Sequence, residues 1–386
     1  ASRSLAARAE LQPDDEADMT FVGLCGFADP PKPTAAAAVA RLRANGIRLK
    51  ILSGDDPVIV KRLAALVGVT ADRVLSGSEI AELGDEALAV QVRDVDAFGR
   101  LAPDQKARVV AALQNKETVV GFLGDGINDA PGLKAADIGL SVEGASGVAQ
   151  AAADMILLDS DLEVVADGVE EGRRTFANIL KYVRMGASSN FGNMLSMAIA
   201  SIALPFLPML PTQILVNNLL YDLSELGIPF DGVRPDAIAR PQLWDMRGLM
   251  RFAGIMGLLS SVFDILTFGV LLFVFHASPE EFRTAWFIES MVTQILVVFV
   301  IRTNGRPWRD WPSQPLAISS LIALAAACVL PFSPLGGWFG FSTPPISLLM
   351  AIGVIIICYL VAAEWLKPLA ITVRSAPNVT AASPPP

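Results

Sequence analysis

The sequence predicts an α/β domain on a parallel sheet, followed by an all-α bundle of six transmembrane helices. Three observations predict it. The 386 residues are 53% hydrophobic and 18% charged, with mean hydropathy +0.49, too apolar for an ordinary soluble chain. The apolarity is uneven, because the long apolar runs start only near residue 185. Before that point, short apolar runs alternate with helix-like runs, the pattern of strand and helix in a parallel α/β fold. The expected parts are a linker over 1–18, the α/β portion over 19–180, the membrane portion over 181–370 and a disordered tail over 371–386.

In chain order, Thr20–Phe27 reads as a strand and Asp29-Pro30-Pro31-Lys32-Pro33 as a rigid turn. A helix is expected over 34–45, stopped by Gly46. Ile47–Leu52 is the next strand and ends in Ser53-Gly54-Asp55; Pro57–Val67 is a helix ending at Gly68. Pro103 suits a first helical turn, so a helix runs from Pro103 to Gln114 with Lys106 near its start. Thr118–Leu123 reads as a buried strand that delivers Gly124-Asp125-Gly126-Ile127-Asn128-Asp129-Ala130-Pro131. Strands follow at Asp137–Val142 and Met155–Leu158, with Asp154 and Asp159 as loop or cap residues. Ligands of parallel sheets bind outside the carboxyl ends of the strands, where Ser53–Asp55 and Gly124–Asp129 both fall.

Six apolar spans are expected at 187–207, 210–228, 252–275, 285–301, 316–332 and 346–366, each near the ~20 residues that cross ~30 Å of hydrocarbon. Arg234, Arg240, Arg247 and Arg251 lie between spans two and three, and Arg302, Arg306 and Arg309 between four and five. The loops after spans one and five carry no Lys or Arg, and the loop after span three carries only Arg283. That asymmetry places both chain ends in the cytoplasm.

Composition also excludes functions. A net charge of −9 argues against nucleic acid as a partner. Cys25, Cys328 and Cys358 are far apart and form neither a disulfide framework nor a metal cluster. A single histidine, His276, argues against zinc. The opening Ala-Ser-Arg-Ser lacks an initiator Met, so the chain is expected to be a portion of a longer protein.

The chemistry-bearing stretch is Gly124–Pro131. Two carboxylates, two glycines and an amide beyond a strand suit a magnesium–phosphate site: glycines admit close backbone approach, and carboxylates are hard oxygen ligands. A lone Gly-Asp-Gly would be a turn, but the eight-residue string resembles the hinge motif of P-type ATPases, cation pumps that cycle through an aspartyl phosphate. The resemblance implies a haloacid-dehalogenase-like phosphorylation domain, present in part. It gives Asp125 and Asp129 a catalytic Mg²⁺, and Asp55, with Ser53, Gly54, Gly126 and Asn128, the phosphoryl group. Lys106 read alone is an ordinary solvated lysine; in the family's Pro-x-x-Lys segment it contacts the aspartyl phosphate. The family's Thr is Ser here, at Ser53. ATP is the implied substrate.

The phosphorylated Asp of the family's Asp-Lys-Thr-Gly-Thr string is absent from this sequence, as is the nucleotide-binding domain. Asp94-Val95-Asp96 is rejected as a substitute nucleophile, since Gln91-Val92-Arg93 is not an apolar strand, and is read as a solvated turn. The chain therefore resembles the carboxyl-terminal part of a pump.

Inside the spans, Asn190 and Asn193 share one helix face, and Asn218 and Asp222 another. An intramembrane Asp costs roughly 2.5–3.5 kcal/mol on insertion scales, which makes it a functional candidate. Four oxygen donors on two spans favour a cation site over helix–helix hydrogen bonding. Asp264 and Glu289 are expected to be packing residues. The strings SSNFGN, NNLLYDLSELGIPFD, FIESMVTQ and PFSPLG resemble bacterial magnesium-transporting P-type ATPases. That resemblance implies Mg²⁺ import across the bacterial plasma membrane, with lipid, the cation and the remainder of the pump as partners. Asn/Asp chemistry alone leaves Ca²⁺ or a proton open. A membrane-anchored phosphohydrolase and an inactive remnant are the readings from other classes.

Overall fold

The computed structural model describes residues 17, 19–25, 30–114, 118–303 and 305–371. Residues 372–386 of the expected 371–386 tail and nearly all of the 1–18 linker lie outside these. The chain divides into two compact units, a head made mainly of Leu49–Gln114 and Val120–Glu163, and a helical unit from Val164 onward that also takes in Arg41–Arg48 and Asn115–Val119.

In chain order the head contains α1 (Ala35–Ala44, its last four residues counted with the helical unit), β1 (Ile51–Leu52), α2 (Pro57–Val67), β2 (Val74–Ser76), α3 (Gly77–Glu82), α4 (Asp85–Asp94), β3 (Ala97–Gly99), α5 (Pro103–Leu113), β4 (Gly121–Leu123), α6 (Ala130–Ala135), β5 (Ile138–Val142), α7 (Gly147–Ala152) and β6 (Met155–Leu157). The strands make two three-stranded sheets, ordered β1-β3-β2 and β4-β5-β6. Every pairing is parallel, with Leu52 opposite Phe98 and Leu123 opposite Leu140. Parallel neighbours require helical crossovers, which accounts for the alternation of strand and helix. All three residues of β3 are buried, as expected for a strand covered on both faces. Phe98 packs with Leu75, Ile80, Leu88, Val92 and Val109; Phe122 packs with Val110, Leu133, Ala149 and Ala152.

Three expectations for the head need correction. Thr118–Leu123 is not a buried strand: β4 takes only its last three residues, and of these only Phe122 is buried. Thr20–Phe27 forms no strand among its described residues, and Phe21, Val22 and Leu24 are exposed. Asp94–Asp96 is not a solvated turn. Asp94 ends α4, Val95 is buried, and Asp96 makes a largely buried ion pair with Lys50 at 2.7 Å. The strand that follows, β3, is the middle of its sheet. At three residues it is too short to leave a periodic signal.

The helical unit contains α8 (Leu162–Ala203, its first two residues counted with the head), α9 (Pro211–Glu225), α10 (Pro235–Ile238), α11 (Met246–Gly269), α12 (Pro279–Ile301), α13 (Gln314–Val329) and α14 (Ile346–Ala370). α8 is unbroken for 42 residues. It meets α11 where Gly192 faces Gly257: a Cβ on Gly257 would sit 2.5 Å from the Phe191 ring and 3.0 Å from the Ser188 carbonyl. Small residues let membrane helices approach closely.

Four helices among the described residues are long and apolar enough to cross a membrane: Met246–Val274, Pro279–Ile301, Gln314–Phe332 and Ile346–Ala370. They correspond to expected spans three to six. Expected spans one and two coincide with the end of α8, where asparagines and serines dilute the apolar run, and with α9. The 15 residues of α9 extend about 22 Å, short of a ~30 Å core. α12 is the central helix, with 78% of its apolar window buried against 28–33% for the other three.

Candidate functional site

β4 delivers the Gly124–Pro131 string at its carboxyl end, and the loop folds around Asp129. One oxygen of Asp129, Oδ2, accepts the backbone N–H groups of Gly126 at 3.0 Å and Asp125 at 3.3 Å. Its other oxygen, Oδ1, meets the Lys106 ammonium at 2.6 Å, in a pair whose side chains are only 12% and 13% exposed. Gly124 is required by space: a Cβ there would lie 2.5 Å from the Asp129 Cβ. Gly126 is tight against the same carboxylate, at 3.3 Å. The loop is held from behind by the buried Ser141 hydroxyl, which donates to the Gly124 carbonyl at 2.8 Å, and by the Ser146 N–H, which donates to the Asp125 carbonyl at 2.9 Å.

Lys106 stands in the first turn of α5. The start of that helix is fixed by Gln105, which accepts the Ala102 N–H and donates to the Gly77 carbonyl. Just upstream, the Leu101 N–H donates to the Ser53 carbonyl at 3.0 Å, so one segment ties the Ser53 turn to the base of Lys106. Within that turn the Ser53 hydroxyl donates to Asp55 Oδ2 at 2.9 Å and accepts the Asp55 N–H at 3.1 Å. The Val58 N–H, then the Arg100 guanidinium, hold the neighbouring Asp56 carboxyl below its usual range. Asp55, Asp125 and Asn128 are exposed.

Two roles thus differ in geometry. Asp125 presents a carboxylate to solvent, whereas both oxygens of Asp129 are already engaged in bracing the loop and holding Lys106. Among the described residues no group of three or more His, Cys, Asp or Glu is placed to hold a metal. Of the two loop carboxylates, the exposed Asp125 is the one whose oxygens could hold a hard cation such as Mg²⁺. Sequence reasoning missed Gly99, Arg100 and Ser141. A Cβ on Gly99 would press within 3.1 Å of Pro57 and the Asp55 carbonyl, and Arg100 adopts φ 50°. Only Ser141 leaves a trace, as a lone hydroxyl in an apolar strand. Gly54 has 3.7 Å to its nearest neighbour, so space alone does not demand glycine there.

In the helical unit the four expected cation-site residues differ in their surroundings. Asn193 accepts the Gln294 amide at 3.2 Å. Asn190, Asn218 and Asp222 are exposed. The buried face of α9 carries a different polar set: Gln213, Asn217, Tyr221, Ser224 and Glu225. The Tyr221 hydroxyl accepts from Ser189 at 3.0 Å, while Asn217 Oδ1 and Glu225 Oε1 are buried without a partner. Asp264 is buried between the Ser196 hydroxyl at 2.6 Å and the Trp286 indole N–H at 2.9 Å, with the Glu289 carboxyl as its other neighbour.

Residues 206–369 match the family described as cation transporting ATPase, C-terminus, and residues 2–137 match haloacid dehalogenase-like hydrolases. A magnesium-transporting ATPase, P-type 1, of Escherichia coli K12 is 46% identical over 353 residues, covering 90% of this chain and 39% of the relative. One from Salmonella typhimurium LT2 is 44% identical over 373 residues, covering 95% of this chain and 41% of the relative. A calcium-transporting ATPase of Bacillus subtilis is 32% identical over 335 residues, covering 82% and 37%. The chain thus spans about two fifths of the length of the curated relatives it matches.

Proposed function

Because this chain belongs to the P-type cation-transporting ATPases, we propose that it is the carboxyl-terminal part of a pump that imports Mg²⁺ at the expense of ATP. The observation that carries the reading is the buried Lys106–Asp129 pair beneath the exposed Asp125. It sets a cation and a metal-ready carboxylate side by side at the carboxyl edge of a parallel sheet. Asp129 holds the Lys106 ammonium in place, and that ammonium offsets phosphoryl charge as a point donor. Bound at Asp125, Mg²⁺ would neutralise and orient the phosphate. Asp55, oriented by the Ser53 hydroxyl, faces the phosphoryl group and the attacking water, and the exposed Asn128 adds an amide.

The acceptor Asp comes from the part of the pump outside this chain. Among the described residues β1 pairs only with β3 and β4 only with β5, so each sheet keeps an open edge. Ile51 of β1 and Leu123 of β4 line one apolar cavity of about 320 Å³, with Val39, Leu63, Val67 and Leu162. Open parallel edges accept a further strand, and a strand seated there would deliver its carboxyl end between Asp55 and Asp125.

In the membrane the reading takes six spans, both chain ends in the cytoplasm, and Asn190, Asn193, Asn218 and Asp222 as ligands of the carried cation. Exposure of Asn218 and Asp222 on one face of α9 fits a site completed by helices supplied from elsewhere in the pump. A site poor in carboxylates suits an ion that keeps part of its water shell. Greater identity to the relatives named for magnesium than to the one named for calcium supports Mg²⁺. The test is Asp125→Asn in the intact pump, followed by phosphoenzyme formation and decay. Loss of turnover is expected; turnover at the parent rate would overturn the assignment.

A further inference from the structure

We propose that Asp231 is a positioning residue that fastens α8 to the ends of α12 and α13, so that displacement of α8 during pumping is handed on to the later spans. The inference rests on the pump reading. Asp231 lies between α9 and α10, and its side chain has no exposed surface. Three elements converge on it. Lys181 of α8 donates to Oδ2 at 2.7 Å. Arg302, next after α12, lies 3.0 Å from both oxygens through Nη1. The N–H of Ser313, the residue that caps α13, donates to Oδ1 at 3.2 Å. The backbone around Asp231 is held by the same helix. Asn178 donates to the carbonyls of Pro229 and Asp231 at 3.0 and 3.1 Å, and Lys181 to that of Gly232 at 2.8 Å.

Burial pulls the Lys181 ammonium below its usual range, and Asp231 is the chief opposing influence. Arg302 is more hidden than Lys181, with a side chain 3% exposed against 14%. Removing the Asp231 carboxylate would take from Lys181 and Arg302 the group that both of them bond, leaving Asp310 as the remaining nearby acid, and an uncompensated buried charge is strongly destabilising. The position of this junction distinguishes it from a generic stabilising pair. Asn178 and Lys181 lie on α8 between its start at Leu162 and Asn193, which is bonded to Gln294. A push along α8 therefore reaches the junction before it reaches the polar residues of the spans.

The test uses the intact pump in liposomes, with ATP-dependent phosphorylation and Mg²⁺ moved per ATP hydrolysed as separate readouts. Phosphorylation of the parent reports on the pump reading, and the ratio reports on Asp231, so the two failures are told apart. Asp231→Asn is expected to keep phosphorylation within twofold while the ratio falls at least tenfold; an unchanged ratio would overturn the proposal. A second arm guards against misfolding. With Cys25, Cys328 and Cys358 replaced by Ser, Lys181→Cys with Gly232→Cys should show the same lowered ratio. A short bis-maleimide joining the two thiols should restore it to within twofold of the parent. A joined pump that stays uncoupled would show that fastening these two points is not what Asp231 supplies.

Discussion

The head and the helical unit build their polar sites in opposite ways. In the head, eight consecutive residues fold around the carboxylate of Asp129, and two glycines leave room for it. In the helical unit, Asp264 is satisfied by Ser196 of α8 and Trp286 of α12, residues 68 and 22 positions away. A contiguous loop carries its geometry in its own backbone. A membrane helix carries only a set of faces, and which face matters depends on what packs there.

Three experiments can break or sharpen that contrast. The largest effect is expected from Asp222→Ala, which should abolish Mg²⁺ movement by the intact pump while ATP-dependent phosphorylation survives; unchanged ion flux would reduce the exposed face of α9 to scaffolding. Next comes Lys106→Met, which strands a largely buried carboxylate. The head should lose about 3 kcal/mol of stability, read by pulse proteolysis in urea, and a change below measurement error would mean Asp129 finds other partners. The smallest concerns Glu79, whose carboxyl is held down to about 2 by the Ser76 N–H, the Arg73 guanidinium and the Ser76 hydroxyl. Its folded value lies below its ordinary 4.5, so its contribution is complete above about 4.5 and fades as pH falls toward 2. Hydrogen-exchange protection across Ser76–Glu82 should decline over that window, and Glu79→Gln should flatten the decline.

The head was legible where local chemistry decides the structure. α2 matches its expected bounds because Pro57 starts it, Asp56 caps it and Gly68, at φ 78°, stops it. β3 was missed because three residues hold no periodicity. The Lys106–Asp129 pair was half legible: both residues were expected at the phosphate site, but their contact spans 23 positions and is set by how α5 packs on α6. In the helical unit, helix existence followed from apolar length, while the partition of polar residues did not. Asn217 and Asn218 are neighbours in sequence, yet one is buried and the other exposed. Helical geometry turns adjacent side chains about 100° apart, and no pattern within α9 says which side its neighbours occupy.

The deep enclosure of α12 bears on how the protein is made. Glu289, Ser290, Thr293 and Gln294 are all hidden in the finished bundle, yet this segment must enter lipid during synthesis before α13 and α14 exist to shelter it. Such side chains are poorly accommodated by hydrocarbon, and this helix has the lowest hydropathy of the four, 1.8 against 2.8 for the last. The helix before it, α11, supplies a partner for that polar load, since its Asp264 meets Trp286 and Glu289 of α12.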